Sequence, residues 1–143
     1  MKRIFLFLAI SFFAHSAVGL AMADGDSTAN ETFKSIITEQ LQAIARDDGT
    51  SAYAEAAPNV QQIFPSPDAF MNMVQSGYPP IYRNKQYNFG DAGVDDAGRP
   101  FQKVEILGAD GARYAAIYFM EHQPDGSWKI SGVVMAKEPE TES

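Results

Sequence analysis

The hydrophobic pattern of this chain changes period once, at Tyr78-Pro79-Pro80, and that change limits the folds open to it. Before this point apolar residues recur at spacings of three and four, the repeat of a helix with one buried face. After it they alternate, the repeat of strands with one buried face. Helices first and an antiparallel meander second predict an α+β domain, its helices packed on one face of a curved sheet of about four strands.

The first helix is expected from Asn30, with Phe33, Ile36, Ile37, Leu41, Ile44 and Ala45 on one face. Asn30 suits the N-cap, Glu31 the first turn, and Asp47-Asp48-Gly49 the end, with Gly49 in the left-handed conformation. Asp48 or Thr50 can cap a short helix from Ala52 to Ala57, and Pro58 can open another turn through Phe64. Ser66-Pro67-Asp68 is a stronger start signal, a cap followed by proline and an acid, leading into Phe70, Met71, Met73 and Val74.

Strands are expected around Tyr87–Phe89, then at Phe101–Leu107, Arg113–Glu121 and Trp128–Met135, separated by Asp- and Gly-containing turns. The loop from Gln123 to Ser127 places His122 opposite Trp128, Glu121 opposite Lys129 and Met120 opposite Ile130. Continued without a break, that register puts Tyr114, Ala116, Tyr118, Met120, Trp128, Ile130, Gly132 and Val134 on the helix-covered face, with Gly132 beside the Tyr118 ring. It leaves Ile117, Phe119, Val133 and Met135 outside, an apolar face that a sheet-to-sheet homodimer or a covering loop would hide. A two-residue turn at Asp110-Gly111 would contradict this facing in the preceding hairpin, unless a bulge or a longer loop intervenes.

The N-terminus reads as an export signal. Lys2 and Arg3 precede a mostly apolar run from Ile4 to Leu20, and Ala21-Met22-Ala23 offers the small-x-small site that places cleavage before Asp24. The expected organisation is a signal peptide over 1–23, a flexible lead-in over 24–29, one α+β domain over 30–135 and a disordered acidic tail over 136–143. The chain has no cysteine, which excludes disulfides, thiolate metal sites, a cysteine nucleophile and a lipoprotein anchor. A soluble periplasmic or secreted bacterial product, with no stable membrane anchor after cleavage, is the expectation.

The whole chain carries a net charge of −7, and loss of Lys2 and Arg3 with the signal leaves the mature protein near −9. Its remaining basic residues are scattered, so nucleic acid and anionic membrane surfaces are poor partners.

The polar residues yield no catalytic motif. His122 beside the Gln123-Pro124-Asp125-Gly126 turn reads as exposed, and it has no second histidine in the mature chain with which to hold zinc. Asp91, Asp95 and Asp96 have the composition of a calcium loop but lack its closing glutamate, so they read as turn residues. Asp47 and Asp48 point different ways at a helix end and read as caps. No catalytic residue, cofactor or metal is assigned.

Several local patterns together resemble the exported bacterial proteins grouped as domain of unknown function 4864. They are Gln40-Leu41-Gln42-Ala43 with Asp47-Asp48 and Ala52-Tyr53, Ala57-Pro58-Asn59-Val60-Gln61 with Phe64, Phe70 with Tyr78, and the run from Gln123 to Gly132. The resemblance implies a cone-shaped fold similar to the nuclear transport factor 2 superfamily, and no activity. Many proteins of that superfamily hold a pocket between helices and sheet. Its steroid-isomerase branch needs an aspartate base and an acidic hydrogen-bond donor, and neither role aligns to a residue here.

The aromatic set of Tyr78, Tyr82, Tyr87, Tyr114, Tyr118 and Trp128 is the best candidate for a site, because a buried tyrosine brings both an apolar ring and a hydroxyl that needs a partner. Tyr82, Tyr114, Tyr118 and Trp128 are the expected wall of a pocket for a small apolar or amphipathic ligand. The functional expectation is an exported, non-enzymatic ligand-binding module. The alternatives are a homodimeric interaction protein using Ile117, Phe119, Val133 and Met135, and an isomerase- or hydratase-like enzyme, which would need a buried carboxylate facing a tyrosine hydroxyl.

Overall fold

The computed structural model describes residues 28–140. The expected signal peptide, its cleavage site at Ala21, Ala23 and Asp24, residues 24–27 of the lead-in and the last three residues of the tail lie outside the described residues.

Helix α1 occupies 28–45. It therefore already includes Thr28 and Ala29, expected in the lead-in, and runs through Asn30 rather than being capped there. Phe33, Ile37, Leu41 and Ile44 are buried along one face, as their spacing predicts, and Ala43 and Gln40 join them. Ala45, expected on that face, is exposed. The helix ends on Asp47, which adopts φ 58°. Gly49, expected to take that conformation, instead starts the next helix.

Helix α2 (Gly49–Ala54) is capped by Asp48, whose carboxylate accepts from the Ser51 amide. Helices α3 (Pro58–Ile63) and α4 (Pro67–Gly77) both start on proline, and Ser66 Oγ caps α4 by accepting from the Ala69 amide at 3.1 Å. A further turn, α5 (Pro79–Tyr82), occupies the point where the period changes. There the two prolines open a helix instead of only ending one.

Four strands follow in sequential antiparallel order: β1 (Asn84–Val94), β2 (Pro100–Gly108), β3 (Arg113–His122) and β4 (Trp128–Lys137). β1 is far longer than its weak sequence signal. β4 continues through Ala136 and Lys137 into the stretch expected to be tail, and the Glu138 amide still donates to Arg113 O at 2.8 Å. From Thr32 onward the described residues form one compact unit. Among the described residues no helix is long and apolar enough to cross a membrane.

The three hairpins share one turn design. In each, a five-residue segment (Asp95–Arg99, Gly108–Ala112, Gln123–Ser127) is closed by an amide-to-carbonyl bond between its ends, and inside it the glycine amide donates to the carbonyl of the first residue. Its fourth residue is a glycine with positive φ, at 83° for Gly111 and 90° for Gly126, where a side chain would be strained. The longer β2–β3 loop pairs Val104 with Ala116 and Ile106 with Tyr114, so the conflict raised by a two-residue turn does not arise.

The pairings expected for the last hairpin are all present: His122 with Trp128, Glu121 with Lys129, Met120 with Ile130. Beyond Ile130 the register shifts, because Ser131 is an extra residue in β4, a bulge. Tyr118 therefore lies opposite Val133, Phe119 opposite Gly132, Ile117 opposite Val134 and Ala116 opposite Met135. The bulge reverses the facing of the rest of β4: Val133 and Met135 share the inner face, and Gly132 and Val134 the outer.

β4 is not a bare edge. The segment after α2 bridges it in parallel, with the Ala57 amide donating to Ile130 O at 2.8 Å and the Ile130 amide to Glu55 O at 2.9 Å. Asn59 Nδ2 adds a bond to Ser131 O at 3.0 Å. These contacts pin α3 across the bulge, which is what builds the site.

Candidate ligand cavity

Between the helices and strands β3 and β4 lies a cavity of about 290 Å³. Gln40 and Ile44 of α1, Val60 and Ile63 of α3, Phe70, Met73 and Val74 of α4, and Tyr118, Ile130 and Val133 of the sheet contribute to its wall. Ile63 is 68% exposed while still lining it, so it forms an apolar lip at the mouth. Helix α3 buries none of its residues and is held in place by polar contacts. Tyr53 Oη donates to Phe64 O at 2.7 Å, and Gln61 Nε2 donates back to Tyr53 O at 3.0 Å.

The polar side chains of the wall are mostly committed within the protein. Gln40 Nε2 donates to Ala52 O at 3.2 Å, Tyr78 Oη to Val133 O at 3.1 Å, and Ser131 Oγ to Phe119 O at 3.2 Å. Tyr118 differs. It is 0% exposed, and among the described residues its hydroxyl has no protein hydrogen-bond partner. Burial pushes this hydroxyl far above the ordinary tyrosine range, and the nearby Tyr78 and Tyr87 add to the shift. An unpaired buried hydroxyl costs about 1–3 kcal/mol, so the domain carries it at the expense of stability.

Of the aromatic set, Tyr78 and Tyr118 line this cavity; of the four residues expected to form its wall, Tyr118 alone does. Tyr82 donates to Asp47 Oδ1 at 2.7 Å, while Arg83 bonds Asp47 Oδ2 at 2.9 Å and stacks on the Tyr82 ring at 3.8 Å. That trio clasps the end of α1 to α5. The Tyr82 hydrogen bond, more than the arginine, holds the Asp47 carboxyl below its usual range. Tyr114 donates to Asp110 Oδ2 at 2.8 Å and braces the β2–β3 turn. Trp128 meets the Phe33 ring edge-on at 4.8 Å and the His122 ring at 4.7 Å.

Of the expected outer face, Ile117 and Phe119 stay outside, with Arg99 stacked on the Phe119 ring at 4.1 Å. Val133 lines the cavity instead, and Met135 lies opposite buried Ala116. Val134, 59% exposed, takes the outer place. Asp95 accepts from the Ala97 and Arg99 amides and pairs with the Arg99 side chain at 2.7 Å, which is turn chemistry. Among the described residues no group of three or more metal-ligating side chains converges.

Sequence reasoning misses Gln40, Asn59 and Ser131. Gln40 had a readable signal, a polar residue on the apolar stripe of α1 between Ile37 and Ile44. Ser131 had none, since nothing in its neighbourhood marks a bulge. The cavity also lacks any Asp or Glu in its wall, the group that an isomerase- or hydratase-like reaction of the kind considered above would require.

No curated protein matches the chain. The order and types of elements agree with the α+β fold that the resemblance implied. The chain belongs to the family described as Domain of unknown function (DUF4864), whose pattern it matches over residues 26–143.

Proposed function

We propose that this protein is an exported, non-enzymatic module that holds one small, mainly apolar molecule in the cavity between its helices and strands β3 and β4. The observation that carries the reading is the cavity of about 290 Å³, close to the ~300 Å³ at which small-molecule sites begin. The wall supports it, because most of its side chains are apolar and none is a Lys, Arg, His, Asp or Glu. Export rests on the signal-like N-terminus, and the pocket position agrees with the resemblance to the nuclear transport factor 2 superfamily.

Native mass spectrometry of the protein expressed with its own N-terminus and recovered from the exported fraction tests both parts. The expected N-terminal residue is Asp24, and the expected spectrum shows a reproducible added mass that leaves on denaturation. A bare monomer, with no added mass across independent preparations, overturns the ligand reading. An uncleaved chain retained in the cytoplasm overturns export.

A second reading, a sheet-to-sheet homodimer, draws on the outer-face cluster of Ile117, Phe119 and Val134, with Val134 59% exposed. On that reading Phe119→Glu converts a dimer to a monomer without unfolding it. An unchanged mass by light scattering would remove it.

A further inference from the structure

Resting on the reading of the cavity as a ligand site, we infer that helix α3 is the gate of that site, opening to admit the ligand and held shut by the ligand once it is inside.

The first ground is burial. Helices α1, α2, α4 and α5 each place at least one residue in the core, whereas α3 buries none. Val60, Ile63 and the C-cap residue Phe64 stand at the spacing of one helical face, and all three line the cavity. Apolar burial is the main resistance to local opening, so α3 has the least to lose by leaving its place. A molecule in the cavity would cover the same three side chains and so hold the helix down.

The second ground is the way α3 is attached. Both of its ends are anchored: Ala57 is buried with its amide on Ile130 O, and beyond Phe64 the Ser66 side chain caps α4. Between these anchors side-chain latches hold it. Tyr53 Oη donates to Phe64 O at 2.7 Å and to Gln61 O at 3.2 Å, Gln61 Nε2 donates to Tyr53 O at 3.0 Å, and Asn59 Nδ2 donates to Ser131 O at 3.0 Å. The first three bonds are part-buried and the last is exposed, so water can replace each of them at small net cost when α3 lifts.

Tyr53→Phe tests the gate, because it removes the latch hydroxyl and keeps the ring that meets Phe70 edge-on at 5.8 Å. The probe is 2-acetylnaphthalene, a neutral bicyclic ketone. An apolar cavity of ~150 Å³ accepts benzene, and about 290 Å³ suits two fused rings. Amide hydrogen exchange, stopped-flow binding and calorimetry are run on the mature chain and on the variant. In the parent, the Gln61 and Phe64 amides are expected to be at least tenfold less protected than those of Leu41 in α1 and Val74 in α4, and the probe is expected to slow their exchange at least fivefold. In the variant, α3 exchange, probe association and probe dissociation should all rise about fivefold, the scale of one part-buried hydrogen bond. The Kd should stay unchanged, because a latch that is present with and without ligand impedes entry and exit equally. Protection of α3 equal to that of α1 and α4, probe binding that leaves α3 exchange unaltered, or faster exchange in the variant with both probe rates unchanged overturns the gate and leaves the cavity reading standing. No binding of the probe to either protein overturns the cavity reading itself, and this inference with it.

Discussion

Replacing Tyr118 with phenylalanine is expected to stabilise the protein by about 1–3 kcal/mol, the opposite of what most changes at a fully buried residue do. The ring and its packing survive, and what leaves is a hydroxyl that is sealed from solvent and bonded to no protein group among the described residues. The melting temperature should rise by roughly 4 °C for each kcal/mol in a domain of this size. The same exchange should flatten the alkaline limb of the stability curve. Burial keeps folded Tyr118 protonated well above the ordinary range, while the unfolded chain releases that proton near pH ~10. Above pH ~10 the unfolded state binds fewer protons than the folded one, so stability falls as pH rises. Below that pH the group adds nothing to the slope. Tyr82 and Tyr114, both raised first by hydrogen bonds to aspartates, leave a residual alkaline slope in the variant. Denaturant titrations at neutral pH and near pH ~11 on both proteins check this. A less stable phenylalanine variant, or an unchanged alkaline slope, would show that the hydroxyl has a partner in solution.

Natural proteins are rarely at their stability optimum, so a residue of this kind persists without needing a compensating gain. Tyr118 lines the cavity at the centre of β3, flanked by the bulge in β4 and by helix α3. Removing the hydroxyl should therefore raise stability and leave the wall of the cavity in place, because the ring stays.

Periodicity carried most of the fold into view. The buried face of α1, the caps at Asp48 and Ser66, and the pairing of His122 with Trp128 all follow from spacing and turn chemistry read locally. The β2–β3 register was within reach as well. The five-residue turn that correctly aligns Gln123 with Ser127 recurs at Gly108–Ala112, and applying the one design to both loops gives the observed pairing. Legibility stopped at Ser131. One inserted residue inverts every later side chain of β4, and an apolar run such as Gly132-Val133-Val134-Met135 fits either facing equally well. The site suffered most from this, since Val133 belongs to the cavity wall and the aromatic residues with tempting hydroxyls turned out to brace turns and helix ends. A tyrosine advertises the capacity to bind, and only its neighbours decide what it binds.

Two isoleucines, Ile37 and Ile63, should divide folding from binding when each is truncated to alanine. Ile37 is 0% exposed on the inner face of α1 and takes no part in the cavity wall. Its truncation leaves a void in a packed interior and is expected to cost about 2–5 kcal/mol. The folded fraction of that variant should bind 2-acetylnaphthalene as the parent does. Ile63, 68% exposed at the cavity mouth, has little burial to lose, and its truncation should change stability by no more than about 0.5 kcal/mol. It removes apolar contact that a bound molecule would cover, and affinity for the same ketone is expected to fall about fivefold. Chemical denaturation and calorimetric titration of both variants give the four numbers. If Ile63→Ala bound like the parent, the bound molecule would not touch the lip. If Ile37→Ala lost affinity beyond its unfolded fraction, the cavity would depend on α1 as a whole, and the separation of a stable scaffold from the α3 lip would fail.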